Sequence, residues 1–347
     1  MSQPNTSPSK KGILLVNLGS PKSTSVKDVK TYLDEFLMDE YVLDMSWLGR
    51  ALLVKGIILQ TRPKKSAEAY KSVWTSEGSP LIVFSKKLQA KLQSKVDIPV
   101  ALAMRYANPS IEEGMRELVE KGVTQITVVP LYPQYAMSTT ETVLEKVESV
   151  RSRIFPEVKV NAVKPFYDRD EYITNLATSI KDKLPENFDK LLFSYHGVPE
   201  RHIYKTDYTH TCNLENCRTE KHQHFNEYCY LNQCYETTRL VKEKLGLPDD
   251  KVQISFQSRL LKDPWLQPYT DHTLESFPSQ GVKNIAVCCP AFVSDCLETL
   301  EEISMEGKEE FIHAGGESFT YIPCLNDNDD FVETIKLLTE EKLNDFQ

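Results

Sequence analysis

A continuous apolar run near the start of the chain constrains the fold more than any other feature. Residues 12–19 read GILLVNLG and lead directly into Ser20 and Pro21. An apolar run without alternation that ends in turn residues is typical of a β-strand buried on both faces of a parallel sheet. The sequence therefore predicts a doubly wound α/β fold, in which helices cover both faces of such a sheet.

Similar runs recur along the chain, with amphipathic stretches between them. Further strands are predicted at 100–104, 126–132, 190–195, 252–256 and 285–289, and a helix at 110–121. This alternation indicates strand–helix–strand units. We expect two Rossmann-like lobes at 11–165 and 166–325, each with a parallel sheet flanked by helices. A flexible tail at 1–10 would precede them, and a closing helix would occupy 326–347.

The composition excludes several classes of protein. The 347 residues carry a formal net charge of -9, whereas a nucleic-acid binder needs a clustered surplus of Lys and Arg. No apolar run approaches the roughly 20 residues of a membrane-spanning helix, and the polar start lacks the apolar core of a signal peptide. We expect a cytoplasmic protein. Peripheral contact with the inner membrane and a homodimer both stay open.

A histidine stands at the carboxyl end of one predicted strand. The run that ends at Tyr195 is followed by His196 and Gly197, which places an imidazole where ligands bind in doubly wound folds. The glycine would let a ligand approach the backbone. His196 is either a metal ligand and general base or a structural residue held by hydrogen bonds, and its position alone does not decide between them.

Acidic residues form a regular ladder after the last of these strands. Glu298, Glu302 and Glu306 recur at intervals of four, and Asp295 precedes them. In a helix this spacing puts the glutamates along one face, where like charges repel unless solvent or cations separate them. A solvated surface is the simpler interpretation, and a path for divalent cations is the functional one. A local π-helical turn, frequent at functional sites, would straighten the ladder.

The eight cysteines divide into two groups. Four lie within a polar insert at 205–235, as Cys212-x4-Cys217-x11-Cys229-x4-Cys234. Four thiolates suit a 2Fe–2S cluster or a structural zinc ion, and the C-x4-C spacing favours the cluster, with plain thiols as a third alternative. The remaining four are expected to be core residues: Cys288, Cys289, Cys296 and Cys324. Three nearby histidines are expected to be solvated, although one could replace a cysteine ligand: His210, His222 and His224.

Eight short motifs, taken together, resemble the ferrochelatase family. They stand in the family's order over about residues 12–326: GILLVNLGSP at 12–21, MRY at 104–106, YPQY at 132–135, SYHG at 194–197, FQSR at 256–259, PWL at 264–266, DCLETLEE at 295–302 and YIPCLN at 321–326. The resemblance implies the two-lobed chelatase fold. It also implies the family's reaction, a step of haem biosynthesis in which ferrous iron, the second substrate, is inserted into protoporphyrin IX to give protohaem.

The resemblance also implies roles for individual residues. His196 and Glu298 would be the catalytic pair and the iron ligands, with Asp295, Glu302 and Glu306 as the metal path. Imidazole and carboxylate release ferrous iron more readily than a cage of thiolates does, and a neutral imidazole can take the pyrrole protons. The implied porphyrin contacts are Leu18, Tyr70, Arg105, Tyr106, Tyr132, Ser138, Trp265 and Phe292, with Arg105 near the propionates.

Three further expectations come from the family. The YPQY segment followed by Ser138 resembles the branch that metallates protoporphyrin, so two propionates are expected. Arg62 is a second candidate for a propionate contact, although its spacing to Tyr70 departs by one residue from the family pattern. Several branches carry 2Fe–2S clusters, which favours a cluster at the four cysteines. The rival functions are a porphyrin or haem carrier or sensor, and a cobalt or nickel chelatase.

Overall fold

Two parallel sheets form the framework of the molecule. The computed structural model describes residues 10–210, 212–219, 227–260 and 263–346. The first sheet has the strand order β2-β1-β3-β4 and the second the order β6-β5-β7-β8. The strands are β1 (Lys11–Asn17), β2 (Val100–Met104), β3 (Gln125–Pro130), β4 (Lys159–Ala162), β5 (Lys190–His196), β6 (Val252–Gln257), β7 (Asn284–Cys288) and β8 (Ser318–Ile322).

The strands follow an equivalent order in the two sheets, and all pairs are parallel. This confirms the predicted α/β fold with two parallel sheets. Six of these strands coincide with the predicted apolar runs. The edge strands β4 and β8 were not predicted, because most of their residues are partly exposed and lack a continuous apolar run.

Helices pack on both faces of each sheet. Alternate residues of β1 enter different hydrophobic clusters, Ile13 and Leu15 on one side and Leu14 and Val16 on the other. The α-helices of the described residues are α1 (Val26–Leu37), α2 (Trp47–Leu53), α3 (Leu59–Val73), α4 (Pro80–Gln93), α5 (Ile111–Glu120), α6 (Thr142–Ile154), α7 (Asp170–Lys183), α8 (Glu200–Lys205), α9 (Asn216–Thr219), α10 (Tyr230–Leu245), α11 (Thr270–Ser276), α12 (Lys308–His313) and α13 (Asp329–Leu343).

Short helices of other types complete the structure. Within the described residues, three stretches are π-helical, at Val54–Ile58, Met137–Glu141 and Glu298–Gly307, and two are 3-10 helices, at Asp249–Lys251 and Pro278–Gln280. The first π-helix joins α2 to α3, so the chain is helical without interruption from residue 47 to residue 73.

The two sheets share one hydrophobic core. Leu15 and Leu102 of the first sheet belong to the same buried cluster as Phe193 and Ile254 of the second. The predicted lobe boundary at 165/166 falls between β4 and α7. The closing helix α13 returns to the first lobe, where the Asn161 amide donates to the Lys342 carbonyl at 2.9 Å. The predicted tail lies outside the described residues except for Lys10.

Candidate functional site

A cavity of about 580 Å³ lies where the strands of both sheets end. Residues at or just after the carboxyl ends of five strands line it: Leu18, Tyr132, His196, Ser258 and Phe292. Parallel sheets bind ligands at this edge, because the loops that follow the strands converge there. The volume is in the range of sites for small organic ligands.

His196 enters the cavity wall from the end of β5. Its Nδ1 atom lies 2.6 Å from the Gly197 carbonyl oxygen. A carbonyl oxygen can only accept, so Nδ1 carries the hydrogen, and in the neutral form of the ring the lone pair is on Nε2. Gly197 permits this close packing, since a Cβ atom there would lie 2.9 Å from the Gln257 carbonyl oxygen. The Phe292 ring is 6.1 Å from the imidazole, centroid to centroid.

The predicted glutamate ladder lies on the cavity wall. Glu298, Glu302 and Glu306 all line the cavity, and they belong to the π-helix Glu298–Gly307. The local π-helical turn considered from the sequence is therefore present, and it extends over the whole ladder. Such widened turns are rare in proteins and are frequently found at functional sites.

Glu302 is held rigidly by the residue that follows β6. The Ser258 amide donates to Glu302 at 2.8 Å, and the Ser258 hydroxyl donates to the second carboxylate oxygen. Ser258 adopts a φ of +61°, a backbone conformation that is costly for a residue other than glycine. Burial raises the pKa of Glu302, and nearby Glu298 adds to this effect, whereas Ser258 and His196 oppose it.

A fourth glutamate of the same π-helix was missed by sequence reasoning. Glu301 also lines the cavity. Burial raises its pKa to about 7, with Glu306 and Glu302 adding to the shift and Lys65 opposing it. A carboxyl group with this pKa gains and loses protons near neutral pH. The intervals of four along the ladder gave no signal for Glu301, because the wider π-helical turn brings an additional position to the cavity.

Two cations of α3 stand at the cavity. Arg62 and Lys65 line it and are exposed. They are three residues apart and therefore neighbours on the helix surface. No ion pair of either residue occurs within the part of the chain that the structure describes. Sequence reasoning did not identify Lys65 as a site residue, although its position three residues after Arg62 on the same helix could have indicated it.

Six of the eight predicted porphyrin contacts line the cavity: Leu18, Tyr70, Tyr132, Ser138, Trp265 and Phe292. Tyr70 and Tyr132 are 7% and 8% exposed. The Trp265 indole donates to the Leu260 carbonyl at 2.8 Å, which fixes its ring. The buried hydroxyls of Tyr132 and Ser294 have no hydrogen-bond partner among the described residues. Buried polar atoms of this kind are costly unless a ligand or water satisfies them.

Arg105 and Tyr106, which are predicted porphyrin contacts, are not among the residues that line the cavity. The Arg105 guanidinium lies 2.5 Å from the carboxylate of Asp39, whose side chain is 4% exposed, and also donates to the Thr142 hydroxyl at 2.7 Å. The Tyr106 hydroxyl donates to the same carboxylate at 2.8 Å. Without a ligand the Arg105 guanidinium is thus paired with a buried carboxylate, and its contact with a propionate stays a prediction.

Asp295 is also not among the residues that line the cavity, and its place on the metal path stays a prediction. Its carboxylate accepts hydrogen bonds from the Tyr321 hydroxyl at 2.5 Å and the Asn326 amide at 2.7 Å. The Thr299 hydroxyl donates to it at 3.1 Å. With both oxygens occupied, Asp295 anchors the start of the π-helix to the segment after β8.

The cysteine insert brings three of its four thiols together. The sulfur atoms of Cys212, Cys217 and Cys229 lie within 4.8 Å of one another, and the last two are 3.7 Å apart. Cys234 lies outside this group and is fully buried on α10. Hydrogen bonds with Cys212 and Cys217, together with burial, raise the pKa of Cys229. Three crowded thiols are poorly ionised unless a metal ion replaces their protons.

Of the three histidines near the insert, His222 and His224 lie outside the described residues, and His210 is exposed. Cys288, Cys289 and Cys296 are buried, and Cys324 is partly buried.

Within the described ranges, no helix combines the length and apolar character that crossing a membrane requires.

Comparison with known sequences gives a consistent result over nearly the whole chain. The family model described as Ferrochelatase matches residues 10–343. The ferrochelatase of Pseudomonas fluorescens strain Pf0-1 is 48% identical over 331 residues, which are 94% of this chain and 97% of that protein. The ferrochelatase of Opitutus terrae is 49% identical over 329 residues, 93% of this chain and 95% of that protein.

Comparison with solved structures supports the same fold. SirB from Bacillus subtilis with Fe3+ superposes with a TM-score of 0.54 at 16% identity, covering 97% of this chain and 99% of SirB. The sirohydrochlorin chelatase SirB from Bacillus subtilis subspecies spizizenii in complex with cobalt has a TM-score of 0.52 at 14% identity, with 97% and 98% coverage. At these identities the likeness establishes the chelatase fold alone.

Proposed function

The chain belongs to the ferrochelatase family, and we propose that His196 and Glu298 are the two residues between which it inserts iron. The enzyme is a metal chelatase that converts protoporphyrin IX and ferrous iron to protohaem. The observation that carries the site assignment is that one cavity holds an imidazole, with Nδ1 bound to a carbonyl oxygen, and a ladder of carboxylates. A porphyrin carrier needs neither, so the carrier function is not favoured.

His196 is the proposed acceptor of the pyrrole protons. Insertion of Fe²⁺ releases two N–H protons from the porphyrin, and both must leave the ring before four nitrogens can bind the metal. The Gly197 carbonyl fixes the hydrogen on Nδ1, which leaves Nε2 as the basic atom. A neutral imidazole accepts a proton readily near neutral pH. Glu301, with its pKa near 7, is the proposed next acceptor along the wall.

The glutamate ladder is the proposed route for ferrous iron. Carboxylates bind Fe²⁺ through oxygen and exchange quickly, whereas thiolates would retain it. Glu306 is exposed and stands at the outer end, and Glu302 is mostly buried and held by Ser258. Glu298 is the innermost member and, with His196, supplies the last oxygen and nitrogen ligands before the porphyrin nitrogens replace them.

The apolar wall and the two cations of α3 are the proposed porphyrin site. Tyr70, Tyr132, Trp265 and Phe292, together with Leu18, would contact the faces of the macrocycle, and Ser138 its edge. Arg62 and Lys65 are placed to meet the two propionates. Contacts at the periphery can supply the energy that bends the ring and exposes its nitrogen lone pairs.

An anaerobic insertion assay tests the substrate and the propionate contacts together. Wild-type protein should metallate protoporphyrin with a higher kcat/KM than coproporphyrin, which carries four propionates. Lys65→Ala should raise the KM for protoporphyrin about tenfold, since a charged hydrogen bond contributes about 1.5–3 kcal/mol. Lys64→Ala is the control, because Lys64 is exposed and does not line the cavity. A KM that is equal in both variants would remove Lys65 from the porphyrin site.

We infer that the cysteine insert holds a 2Fe–2S cluster through Cys212, Cys217, Cys229 and Cys234. Three clustered thiols fit a metal centre, and the C-x4-C spacing favours iron and sulfide over zinc. Cys234 completes the second C-x4-C pair with Cys229 and lies in α10, so it is the proposed fourth ligand. When bound, the cluster would supply a four-point crosslink to the insert; iron held by sulfide and thiolate is too firmly bound to serve as the substrate.

Metal and sulfide analysis distinguishes the two metal centres. Protein purified without oxygen should contain two irons and two acid-labile sulfides per chain, and both should disappear in Cys217→Ser and in Cys234→Ser. Cys288→Ser is the control, because Cys288 is buried in β7 and outside the group. One zinc per chain without sulfide would replace the cluster by a structural zinc site, and retention of iron in Cys234→Ser would exclude Cys234 as a ligand.

The exposed side of the helical stretch 47–73 is the proposed contact with a lipid surface. Trp47, Leu48, Leu52 and Ile57 are 59–66% exposed. Exposed cations follow on the same stretch: Lys55, Arg62, Lys64 and Lys65. Apolar side chains with neighbouring cations suit the interface of an anionic bilayer. Since Arg62 and Lys65 also line the cavity, the apolar substrate could pass between the bilayer and the site.

A further inference from the structure

The cysteine site and the active site meet at the first turn of α10. Cys229 immediately precedes this helix, and Tyr230 is its first residue. Tyr230 is 6% exposed and lines the cavity. Its hydroxyl donates to the backbone carbonyl of His196 at 2.7 Å.

This hydrogen bond replaces one that the sheet does not supply. β5 pairs with β6 as far as His196, but it pairs with β7 only as far as Phe193. The His196 carbonyl lies beyond the end of the β5–β7 pairing, and a buried carbonyl without a donor is costly. Tyr230 provides the donor.

The peptide unit between His196 and Gly197 is thereby held at both ends. Its carbonyl accepts from Tyr230, and its N–H donates to the Gln257 carbonyl at 2.7 Å. The imidazole is attached to the same segment and bonds to the Gly197 carbonyl. A displacement of Tyr230 would therefore move or loosen the imidazole.

The same turn of α10 also reaches the first lobe. The Gln233 side-chain oxygen accepts from the Tyr135 amide at 2.6 Å, and its NH2 group donates to the Glu227 carbonyl at 2.7 Å. The neighbours of Tyr135 on both sides, Gln134 and Ala136, line the cavity. Residues 227–234 thus connect the cysteine group to two walls of the cavity.

We propose that Tyr230 is a positioning residue that couples metal occupancy at the cysteine site to the geometry of His196. The proposal rests on the metal centre proposed above, and it holds for iron–sulfur and zinc alike, because both fix Cys229. A metal-bound Cys229 holds the start of α10, and with it the Tyr230 hydroxyl, against the His196 carbonyl. Loss of the metal releases Cys229 and weakens this hydrogen bond.

A set of three variants tests the coupling. Tyr230→Phe keeps the buried ring and removes only the hydroxyl, and it should lower kcat about five- to tenfold, with the KM for protoporphyrin and the metal content unchanged. Cys217→Ser should lose the metal and show a similar decrease in kcat. The double variant should be no slower than Cys217→Ser alone, because one interaction is removed twice.

Hydrogen exchange followed by mass spectrometry provides a readout independent of turnover. Backbone amides of residues 194–198 should exchange faster in Tyr230→Phe and in Cys217→Ser than in the wild type. Tyr204→Phe is the matched control: it removes an exposed tyrosine hydroxyl from α8, outside the cavity lining. It should match the wild type in kcat and in exchange.

Three results would overturn the coupling. They are unchanged kcat and exchange in Tyr230→Phe, multiplied losses of kcat in the double variant, and wild-type exchange at 194–198 in metal-free Cys217→Ser. If Cys217→Ser does not fold, wild-type protein treated with a chelator takes its place in the exchange measurement. Turnover and metal content of the wild type test the proposed function separately.

Discussion

At the residue scale, the functional side chains differ in how firmly the protein holds them. His196 is fixed through Gly197 and Tyr230, and Glu302 is fixed through Ser258. Glu306, by contrast, is exposed. This gradient suits a route on which iron is captured by a mobile carboxylate and delivered to a rigid site, because the insertion step requires defined geometry and the capture step does not.

Two glutamine variants test the direction of this route. Glu298→Gln should lower kcat by about a hundredfold or more, since a positioned acid–base or metal-binding group contributes on that scale. Glu306→Gln should lower it less than about threefold, because other carboxylates near the entrance remain. The measurement is steady-state insertion of ferrous iron under anaerobic conditions. Glu309→Gln is the control, since Glu309 is exposed and outside the cavity lining. Equal and small decreases in kcat in both variants would indicate that the glutamate ladder is a solvated helix surface without a role in iron transfer.

Sequence reasoning placed His196 and Glu298 near the ends of parallel strands, which are recognisable from apolar runs, and both residues line the cavity. The partner of Arg105 could not be predicted, because Asp39 is 66 residues away in the chain. The partners of Asp295 could not be predicted for the same reason, because Tyr321 and Asn326 approach only through the fold. A charged residue in a family motif looks the same in sequence whether it binds a substrate or another side chain.

At the element scale, the predictability of each element follows from its burial. β1, β2 and β3 are buried throughout or nearly so and were predicted from their composition. β4 and β8 are partly exposed edge strands and were not. The extent of the π-helix Glu298–Gly307 was also not predictable, because helix width depends on contacts such as those of Asp295 at its start.

The proposed lipid contact of the helical stretch 47–73 is tested with vesicles. The triple change Trp47→Ser, Leu48→Ser and Leu52→Ser should weaken binding to phosphatidylglycerol vesicles by at least tenfold, because burial of each side chain contributes about 1.5–3 kcal/mol. Binding is measured by co-sedimentation. The control is Ile312→Ser with Leu337→Ser, two exposed apolar residues on other helices. Equal vesicle binding by both variants would exclude this surface as the lipid contact. If the wild type is a dimer and the triple change makes it monomeric, the surface is instead the contact with a second copy of the chain.

At the scale of the whole molecule, the cavity depends on contacts between the two lobes. Asp44, in the segment between α1 and α2, has a side chain that is 4% exposed. Its carboxylate accepts from Arg201 of α8 at 2.5 and 2.9 Å and from Lys205 at 2.5 Å. Burial alone would raise the pKa of Asp44, but the hydrogen bonds from Arg201 and Lys205 outweigh it and hold the pKa well below its usual range.

Asp44→Asn should therefore destabilise the protein by about 2 kcal/mol at pH 7, measured by urea unfolding. A depressed carboxyl pKa stabilises the folded state above the ordinary value of 3.8, and the contribution disappears as the pH falls below it. The difference between variant and wild type should accordingly shrink below about pH 4. Asp263→Asn is the control, because Asp263 also pairs with Arg201 but is 41% exposed. An equal effect of both changes at pH 7 would contradict the inter-lobe role of Asp44.

The most direct test of the central claim is the rate of ferrous iron insertion by His196→Ala, compared with His313→Ala, which removes an exposed imidazole from α12. His196→Ala should lose at least a hundredfold in kcat and still bind protoporphyrin, as followed by the change in porphyrin fluorescence, whereas His313→Ala should match the wild type. Turnover of His196→Ala within a few fold of the wild type would contradict the proposed role of His196 in iron insertion.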